Sequence, residues 1–292
     1  QSLVRNILHK LAPYWVGFKT RRLKQRMKLL RQLKDKSINN NELIGIENLL
    51  KIDVIIAGHD GGLDERVAHF INEYIFIFDV PLWVFGVEFP NKFKSFHIAK
   101  EIEKGCSSTR AVFCRTEASR QSVLKYMPSF KPEVSPDPAF SMKPMDREGV
   151  ILALEKYGLS QVFNNGAICV STCETGPIAR HCFPEFTDPS SRLDAHRQFL
   201  ADILSFAAEE FDKEIVFLPH ALGPGKALND IMVAKAVKGK MSTSAQNRTH
   251  ILNEDLPASM LKGIIREADF MISERIHAMI GAVGVATPFL CL

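Results

Sequence analysis

The stretch ADFMISERIHAMIGAVGVATPFLCL, residues 268–292, holds the pattern that decides the fold. It predicts a short apolar strand over 270–272, a turn that carries Ser273 and Glu274, a helix over about 275–283, and a second apolar strand after Pro288. A strand, a turn and a helix that lead to another strand form the repeating unit of a parallel α/β sheet. The end of the chain therefore indicates an α/β protein.

Two residues at the start of that helix, Arg275 and His277, suit an anionic ligand. In open α/β sheets, ligands bind where a strand ends and the next helix begins, and the helix start offers unpaired N–H groups and a positive dipole end. A guanidinium matches phosphate or carboxylate, and an imidazole exchanges a proton near neutral pH. The pattern alone also fits a histidine that only caps the helix or packs against it.

The rest of the chain repeats the alternation of strand and helix. Apolar and β-branched runs predict buried strands at 52–57, 81–87, 111–114, 167–171, 214–218 and 250–252. Right-handed crossovers between successive strands give a parallel sheet flanked by helices. The predicted fold is therefore α/β, with two Rossmann-like domains facing a cleft.

Polar residues follow several of these strands and give further site candidates. His59 and Asp60 lie in the glycine-rich turn 58–62, which would let the backbone approach a ligand closely. His220 ends another predicted strand, and Asp230 begins the next helix. An ordinary turn between strand and helix is the alternative for the glycine-rich segment, which is neither a Walker A loop nor G-x-G-x-x-G.

Arg115 ends a strand in the first half, as Arg275 does in the second. An arginine at a helix start faces the helix dipole unfavourably, so it needs an anionic partner. A bound anion is one such partner, and Glu117 is the alternative within the chain.

The charge is distributed unevenly. Residues 1–36 contain eleven Lys or Arg and one acid, Asp35, which gives 11 − 1 = +10, so the remainder carries 4 − 10 = −6. We predict a basic helical segment at 1–41, an N-terminal domain at 42–145 and a C-terminal domain at 146–292. The basic segment is either a solvated helix face or a contact to an anionic membrane, whereas no motif indicates nucleic acid.

The cysteines indicate the cellular compartment, and the apolar runs indicate whether the chain spans a membrane. Six cysteines occur without C-x-x-C pairs, several of them in apolar runs, which indicates reduced thiols and a cytoplasmic protein. No metal site is predicted, because no cysteine and histidine spacing fits one. The most apolar run, 75–87, is too short to span a bilayer and contains Asp79 and Pro81.

Four segments together resemble one family. IIAGHDGG (55–62), FCRTEAS (113–119) with SPDPAF (135–140), IVFLPH (215–220) with a downstream Asp, and ISERIHAMIGAVGVATPFL (272–290) are similar, in this order, to polysaccharide pyruvyl transferases. The resemblance covers about residues 40–292 and implies a glycosyltransferase-B-like fold. It also implies that an N-terminal first strand and a C-terminal last helix lie outside this sequence.

The resemblance implies transfer of the pyruvyl group of phosphoenolpyruvate to a sugar hydroxyl pair of a cell-surface glycan or its lipid-linked precursor. Arg115 and Arg275 would then bind phosphoenolpyruvate, and His277 would be the general acid. His59, Asp60, His220 and Asp230 would line the cleft on the acceptor side. No cofactor beyond the donor substrate is implied.

Two other functions remain open at this point. One is a nucleotide-sugar glycosyltransferase of similar shape, for which Glu274 beside Arg275 is the hint. The other is an inactive relative that binds glycans or anions. In the first reading a nucleotide sugar is bound, and in the second phosphoenolpyruvate is bound without release of phosphate.

Overall fold

The computed structural model describes residues 53–58, 81–89, 103, 109–174, 183–223 and 229–292. The chain divides into two compact units between Asp137 and Pro138. The sequence placed this boundary after residue 145. The segment before Asp146 belongs to the second unit because Met145 donates its backbone N–H to the Ser259 carbonyl (2.8 Å). The predicted basic segment 1–41 lies outside the described residues.

The described residues of the first unit form a parallel sheet of four strands. Its elements, in chain order, are β1 (Ile55–Ala57), β2 (Leu82–Val87), β3 (Thr109–Cys114), α1 (Glu117–Tyr126) and β4 (Pro132–Val134). The sheet order is β1-β2-β3-β4, and each neighbouring pair is parallel. Apolar side chains of β2 and β3, including Leu82, Val84 and Val112, are buried in its core.

The second unit alternates strands and helices. After a 3₁₀ helix (Pro138–Ser141) come α2 (Arg147–Lys156), α3 (Ser160–Asn164), β5 (Ala167–Ser171), α4 (Pro189–Glu210), β6 (Glu214–Phe217), α5 (Asp230–Lys238), α6 (Thr243–Asn247), β7 (Thr249–Ile251), α7 (Ala258–Glu267), β8 (Phe270–Ser273), α8 (Ile276–Gly284) and β9 (Phe289–Cys291). The strands form one parallel sheet in the order β7-β6-β5-β8-β9. This unit carries the α/β alternation that residues 268–292 predicted.

Strand β5 lies in the middle of this sheet and is buried along its whole length. Its side chains alternate between two apolar cores, because successive residues of a strand face opposite sides. Cys169 packs with buried residues of α2 and α7, and Val170 packs with buried residues of α4 and α5. Helices therefore cover both faces, which explains why β5 reads as a continuous apolar run.

The strands that follow β5 in the sequence are added on both of its edges. The chain builds β6 and β7 on one side and then returns to add β8 and β9 on the other. The strand order thus reverses between β5 and β8, which makes this a topological switch point. The carboxyl ends of β5, at Ser171, and of β8, at Ser273, are directly paired in register there.

A buried lysine links the 3₁₀ helix to α7 within the second unit. Lys262 on α7 is 2% exposed. Its Nζ donates to backbone carbonyl oxygens at the end of the 3₁₀ helix and just after it, those of Ala139 (3.4 Å), Phe140 (3.3 Å) and Met142 (2.7 Å). These bonds satisfy carbonyl groups that the short helix leaves without partners.

Candidate active site

The strongest constellation of polar groups lies at the carboxyl ends of β5, β6 and β8. Three of the residues predicted from sequence, Arg275, His220 and Asp230, meet there in one hydrogen-bonded network. They come from the turn between β8 and α8, the loop after β6 and the first turn of α5. The switch point of the sheet accounts for the convergence, since it leaves a crevice at this edge.

Arg275 is held by a carboxylate. Its Nη2 donates to Asp230 Oδ1 (2.5 Å), and its Nε lies 2.9 Å from Asp230 Oδ2 and 3.0 Å from the Thr172 carbonyl oxygen. Two parallel N–H···O bonds fix the plane of the guanidinium as well as its position. Within the described ranges, Nη1 has no acceptor, so this edge of the guanidinium is available to an anion.

Asp230 is the anchor of the network. Its side chain is 3% exposed and accepts two further bonds, from the backbone N–H groups of His220 (2.9 Å) and Ala221 (3.0 Å). The helix that it begins is capped by Asn229, whose Oδ1 accepts from the N–H of Ile231 (3.1 Å). A buried charge is tolerated only when it is paired and hydrogen-bonded, and Asp230 meets both conditions.

His220 is fixed through one ring nitrogen. Its Nδ1 lies 2.9 Å from the Leu218 carbonyl oxygen and 3.1 Å from Ser171 Oγ. Desolvation by burial lowers the pKa of His220 below its ordinary value of 6.5, and the charges of Arg275 and His277 lower it further. The hydrogen bond to Leu218 and the Asp230 carboxylate oppose this shift without reversing it. The imidazole is therefore neutral near pH 7.

His277 is the second residue of α8 and is exposed. Arg275 is the N-cap residue of that helix and makes no side-chain capping bond. Instead, Ser273 Oγ accepts the Arg275 N–H (3.0 Å) and donates to the Arg275 carbonyl (3.1 Å), which holds the turn between β8 and α8. His277 is thus presented at a positive helix end beside Arg275.

Two side-chain pairs with buried carboxylates, His196 with Glu274 and Arg197 with Glu174, lie beside this network and were not predicted from the sequence. His196 Nε2 lies 2.6 Å from Glu274 Oε1, and both side chains are almost fully buried. Glu274 Oε2 accepts the Cys173 N–H (2.9 Å). Next to it, Arg197 binds both oxygens of the buried Glu174 (2.5 and 2.8 Å). Helix α4 therefore fastens the chain segment that follows β5.

The position of His196 in the sequence carries one signal of a buried polar contact. It lies one helical turn before Leu200, on the face of α4 that points into the core. A histidine at an apolar position needs a polar partner, although the sequence does not identify which one.

Arg115 lies in the first unit and is also clamped. Its Nη2 is 2.8 Å from Asp137 Oδ2, and its Nε donates to the Gly86 carbonyl (2.6 Å). Asp137 is therefore an anionic partner of Arg115 within the chain, and the alternative that gave this role to Glu117 was wrong. Glu117 instead accepts bonds from Arg120 and Gln121 on the exposed face of α1.

Two predicted residues lie outside the described ranges, His59 and Asp60. Their assignment to the acceptor side stays a prediction. The described residues contain no group of three or more side chains arranged to hold a metal ion. Among the helices in the described part of the chain, none combines the length and the apolar character that crossing a membrane requires.

Comparison with solved structures identifies the fold. A Staphylococcus aureus MnaA structure with UDP is 14% identical, with a TM-score of 0.54 over 90% of this chain and 64% of that chain. A UDP-forming α,α-trehalose-phosphate synthase from Burkholderia xenovorans in complex with glucose-6-phosphate is 11% identical, with a TM-score of 0.53 over 92% and 63%. These similarities show the predicted glycosyltransferase-B-like α/β fold. The chain spans less than two thirds of the length of either structure.

Comparison of sequences adds one match. A family model for polysaccharide pyruvyl transferase matches residues 4–292, nearly the whole chain. A search of curated protein sequences found no match.

Proposed function

This chain belongs to the polysaccharide pyruvyl transferase family, and on that premise we propose that it transfers the pyruvyl group of phosphoenolpyruvate to a sugar hydroxyl pair. The acceptor would be a cell-surface glycan or its lipid-linked precursor. The observation that carries the proposal is the arrangement at the start of α8, where Arg275 is fixed by Asp230 and His277 is exposed beside it.

Arg275 is the proposed donor-binding residue. Phosphoenolpyruvate carries a phosphate and a carboxylate, and the Nη1 edge of a guanidinium already oriented by Asp230 binds either group without a further ordering cost. Arg115, clamped by Asp137 in the first unit, is the second proposed donor-binding residue. The N-terminal N–H groups of α8 favour the same negative charge.

His277 is the proposed general acid. Pyruvyl transfer requires a proton on the methylene carbon of phosphoenolpyruvate, so that C2 becomes electrophilic and is attacked by a sugar hydroxyl. An imidazole that is exposed at the site can transfer a proton to a bound substrate, which suits this step. Phosphate leaves when the second hydroxyl closes the ketal, and none of these steps calls for a cofactor.

A nucleotide-sugar glycosyltransferase is the second candidate, because the Staphylococcus aureus structure that resembles this chain holds UDP. The acidic residue named for that role was Glu274. Its Oε1 contacts His196 at 2.6 Å and its Oε2 accepts the Cys173 N–H at 2.9 Å. Both carboxylate oxygens are thus engaged within the unit, which favours pyruvyl transfer over nucleotide binding by this residue.

The experiment follows phosphate released from phosphoenolpyruvate by the full chain. Acceptors are p-nitrophenyl hexopyranosides with unprotected 4- and 6-hydroxyls, namely the β-galactoside, the α-glucoside and the N-acetyl-β-mannosaminide. The expected product has the acceptor's mass plus one pyruvate less one water. If no acceptor leads to phosphate release and only UDP-sugars raise the thermal midpoint, the result would favour glycosyl transfer.

Three variants assign the residues. In Arg275→Ala the stabilisation by phosphoenolpyruvate disappears, whereas in His277→Ala it persists and turnover is lost. Arg248→Ala, which removes an exposed arginine paired with Asp212, is the matched control and keeps both properties. Binding of phosphoenolpyruvate without turnover in the wild type would identify the inactive relative.

Membrane association through the segment 1–41 is a separate proposal that the described residues do not address. Its eleven basic residues up to position 36 predict binding to anionic vesicles that weakens as salt rises. Co-sedimentation with vesicles that does not depend on salt or on lipid charge would contradict this proposal.

A further inference from the structure

The ring of His220 has a defined tautomer. Its Nδ1 lies 2.9 Å from the carbonyl oxygen of Leu218, and a carbonyl oxygen only accepts hydrogen bonds. In the neutral ring Nδ1 therefore carries the proton, and the lone pair is on Nε2. The Ser171 hydroxyl oxygen, 3.1 Å from Nδ1, then acts as a second acceptor for that proton.

The other ring nitrogen of His220, Nε2, is the one that a ligand would contact. No bond from Nε2 of His220 to a residue of the described ranges is present. The residue is only partly exposed and lies at the edge of the sheet where Arg275 also lies. A neutral histidine whose acceptor nitrogen has no partner in these ranges is suited to take a proton from a bound hydroxyl.

His220 and Arg275 are linked through a single oxygen atom. Asp230 Oδ2 accepts the backbone N–H of His220 (2.9 Å) and the Nε–H of Arg275 (2.9 Å). A residue that binds the donor and a residue that contacts the acceptor must keep their relative positions within fractions of an ångström. A shared carboxylate provides this restraint.

Burial is the main reason that the imidazole of His220 stays unprotonated. Burial lowers the pKa of His220, and so do the neighbouring Arg275 and His277, while Asp230 and the Leu218 carbonyl act in the opposite sense. Ser171 is uncharged and comes from the neighbouring strand end. A base must be neutral before it takes a proton, so this environment prepares His220 for that role at neutral pH.

We propose that Nε2 of His220 is the general base that removes the proton from the attacking acceptor hydroxyl. The proposal rests on the proposed pyruvyl transfer. His277 gives a proton to the methylene carbon, the hydroxyl oxygen bonds to C2, and the hydroxyl proton passes to Nε2. The second hydroxyl then displaces phosphate, which leaves with that hydroxyl's proton when the C2–O bond to phosphate breaks. Water returns the proton from His220 to His277.

Two substitutions separate this role from a structural one. In His220→Asn the amide nitrogen takes the place of Nδ1 and keeps the bond to Leu218, but no nitrogen replaces Nε2. In His220→Gln the side-chain amide takes the place of Nε2 without its basicity. We expect both variants to lose turnover by about 100- to 10,000-fold while phosphoenolpyruvate still stabilises them against heat. If His220 had a purely structural role, His220→Asn would retain turnover, because the bond to Leu218 is kept.

The pH profile gives an independent readout. In the wild type, kcat/KM falls at low pH as His220 is protonated, with a midpoint below the ordinary histidine value because burial lowers its pKa. This acidic limb is absent in the residual activity of His220→Asn. His250→Gln is the matched control, since His250 pairs with Glu214 at the opposite end of the sheet, and it keeps the wild-type profile.

Nitrogen-15 NMR of the full chain tests the tautomer without any acceptor, with the His220 signals assigned by their loss in His220→Asn. The proton is expected on Nδ1, and a proton on Nε2 would overturn the proposal. His220→Asn turnover within threefold of the wild type would also overturn it. Wild-type failure with every acceptor contradicts pyruvyl transfer itself, and that result is obtained before any variant is compared.

Discussion

Replacing Asp230 with Asn should destabilise the second unit more than any change at its surface. The amide keeps an oxygen for the N–H groups of His220 and Ala221, so the loop after β6 retains its bonds. What is lost is the negative charge opposite Arg275. The Arg275 side chain is only 20% exposed, and its guanidinium would then face an amide N–H₂ or turn away.

The magnitude follows from the burial of the pair. Removing one partner of a buried ion pair costs about 3–5 kcal/mol, because the other charge stays desolvated and unpaired. Arg275 keeps some access to water and its Thr172 bond, so we expect about 3 kcal/mol, the lower end. For a unit of this size, that corresponds to a fall of about 6–12 °C in Tm.

Thermal unfolding followed by circular dichroism measures the effect, with urea denaturation as a check on the free energy. Asp212→Asn is the matched control. Asp212 pairs with Arg248, but its side chain is 84% exposed, so the same change of carboxylate to amide should leave Tm unchanged within error.

A double-mutant cycle tests whether the loss of stability comes from the unpaired Arg275 guanidinium. If the cost comes from the unpaired guanidinium, Arg275→Met combined with Asp230→Asn should be more stable than Asp230→Asn alone. A fall in Tm of less than about 2 °C in Asp230→Asn, or additive losses in the double variant, would refute the assignment of Asp230 as the structural anchor of Arg275.

Three further outcomes are expected. Lys262→Met keeps the side-chain volume but leaves the backbone carbonyl groups that Nζ binds without a hydrogen-bond donor. Urea denaturation should therefore show a free energy of unfolding lower by about 2–4 kcal/mol, and an unchanged midpoint would contradict this. Burial raises the pKa of the Cys114 thiol to about 11, so a thiol reagent near neutral pH should modify the exposed Cys291 in the native protein and Cys114 only after unfolding; a Cys114→Ser variant identifies the slow site. Because the folded pKa of His220 lies below 6.5, its contribution to stability is present above that pH and is lost as pH falls; unfolding free energies of wild type minus His220→Asn should therefore decrease on acidification, and a flat difference would be inconsistent with the shift.

Much of the second unit could be predicted from the sequence because its strands are buried on both faces. The run AICVS at 167–171 admits little besides a central parallel strand, and the structure has β5 there. Strand β4 was not predicted, since Pro132–Val134 is too short for a pattern. It forms because an edge strand tolerates a proline that donates no hydrogen bond. The five-residue helices α3 and α6 were missed for the same reason of length.

The site was predictable residue by residue and not pair by pair. Arg275, His220 and Asp230 follow from strand ends, which the apolar pattern marks. That Asp230 binds Arg275, 45 residues away, depends on the sheet order, which local sequence does not encode. The same holds for Asp137 and Arg115: Glu117 was the nearer carboxylate, but the helical backbone directs it to Arg120.

The central place of β5 also sets when the site comes into existence during synthesis. β5 is the first strand of its sheet to leave the ribosome, and β6 can pair with one of its edges, and β7 with β6, before β8 is available for the other edge. A nascent chain at that stage contains His220 and Asp230 but not Arg275, the residue that Asp230 binds. It also exposes an unpaired apolar strand edge, with which other chains can pair. Addition of β8 closes that edge and delivers Arg275 in the same step. Pairing of the open β5 edge and competence to bind an anion therefore arise together, and a chain that ends before β8 has neither.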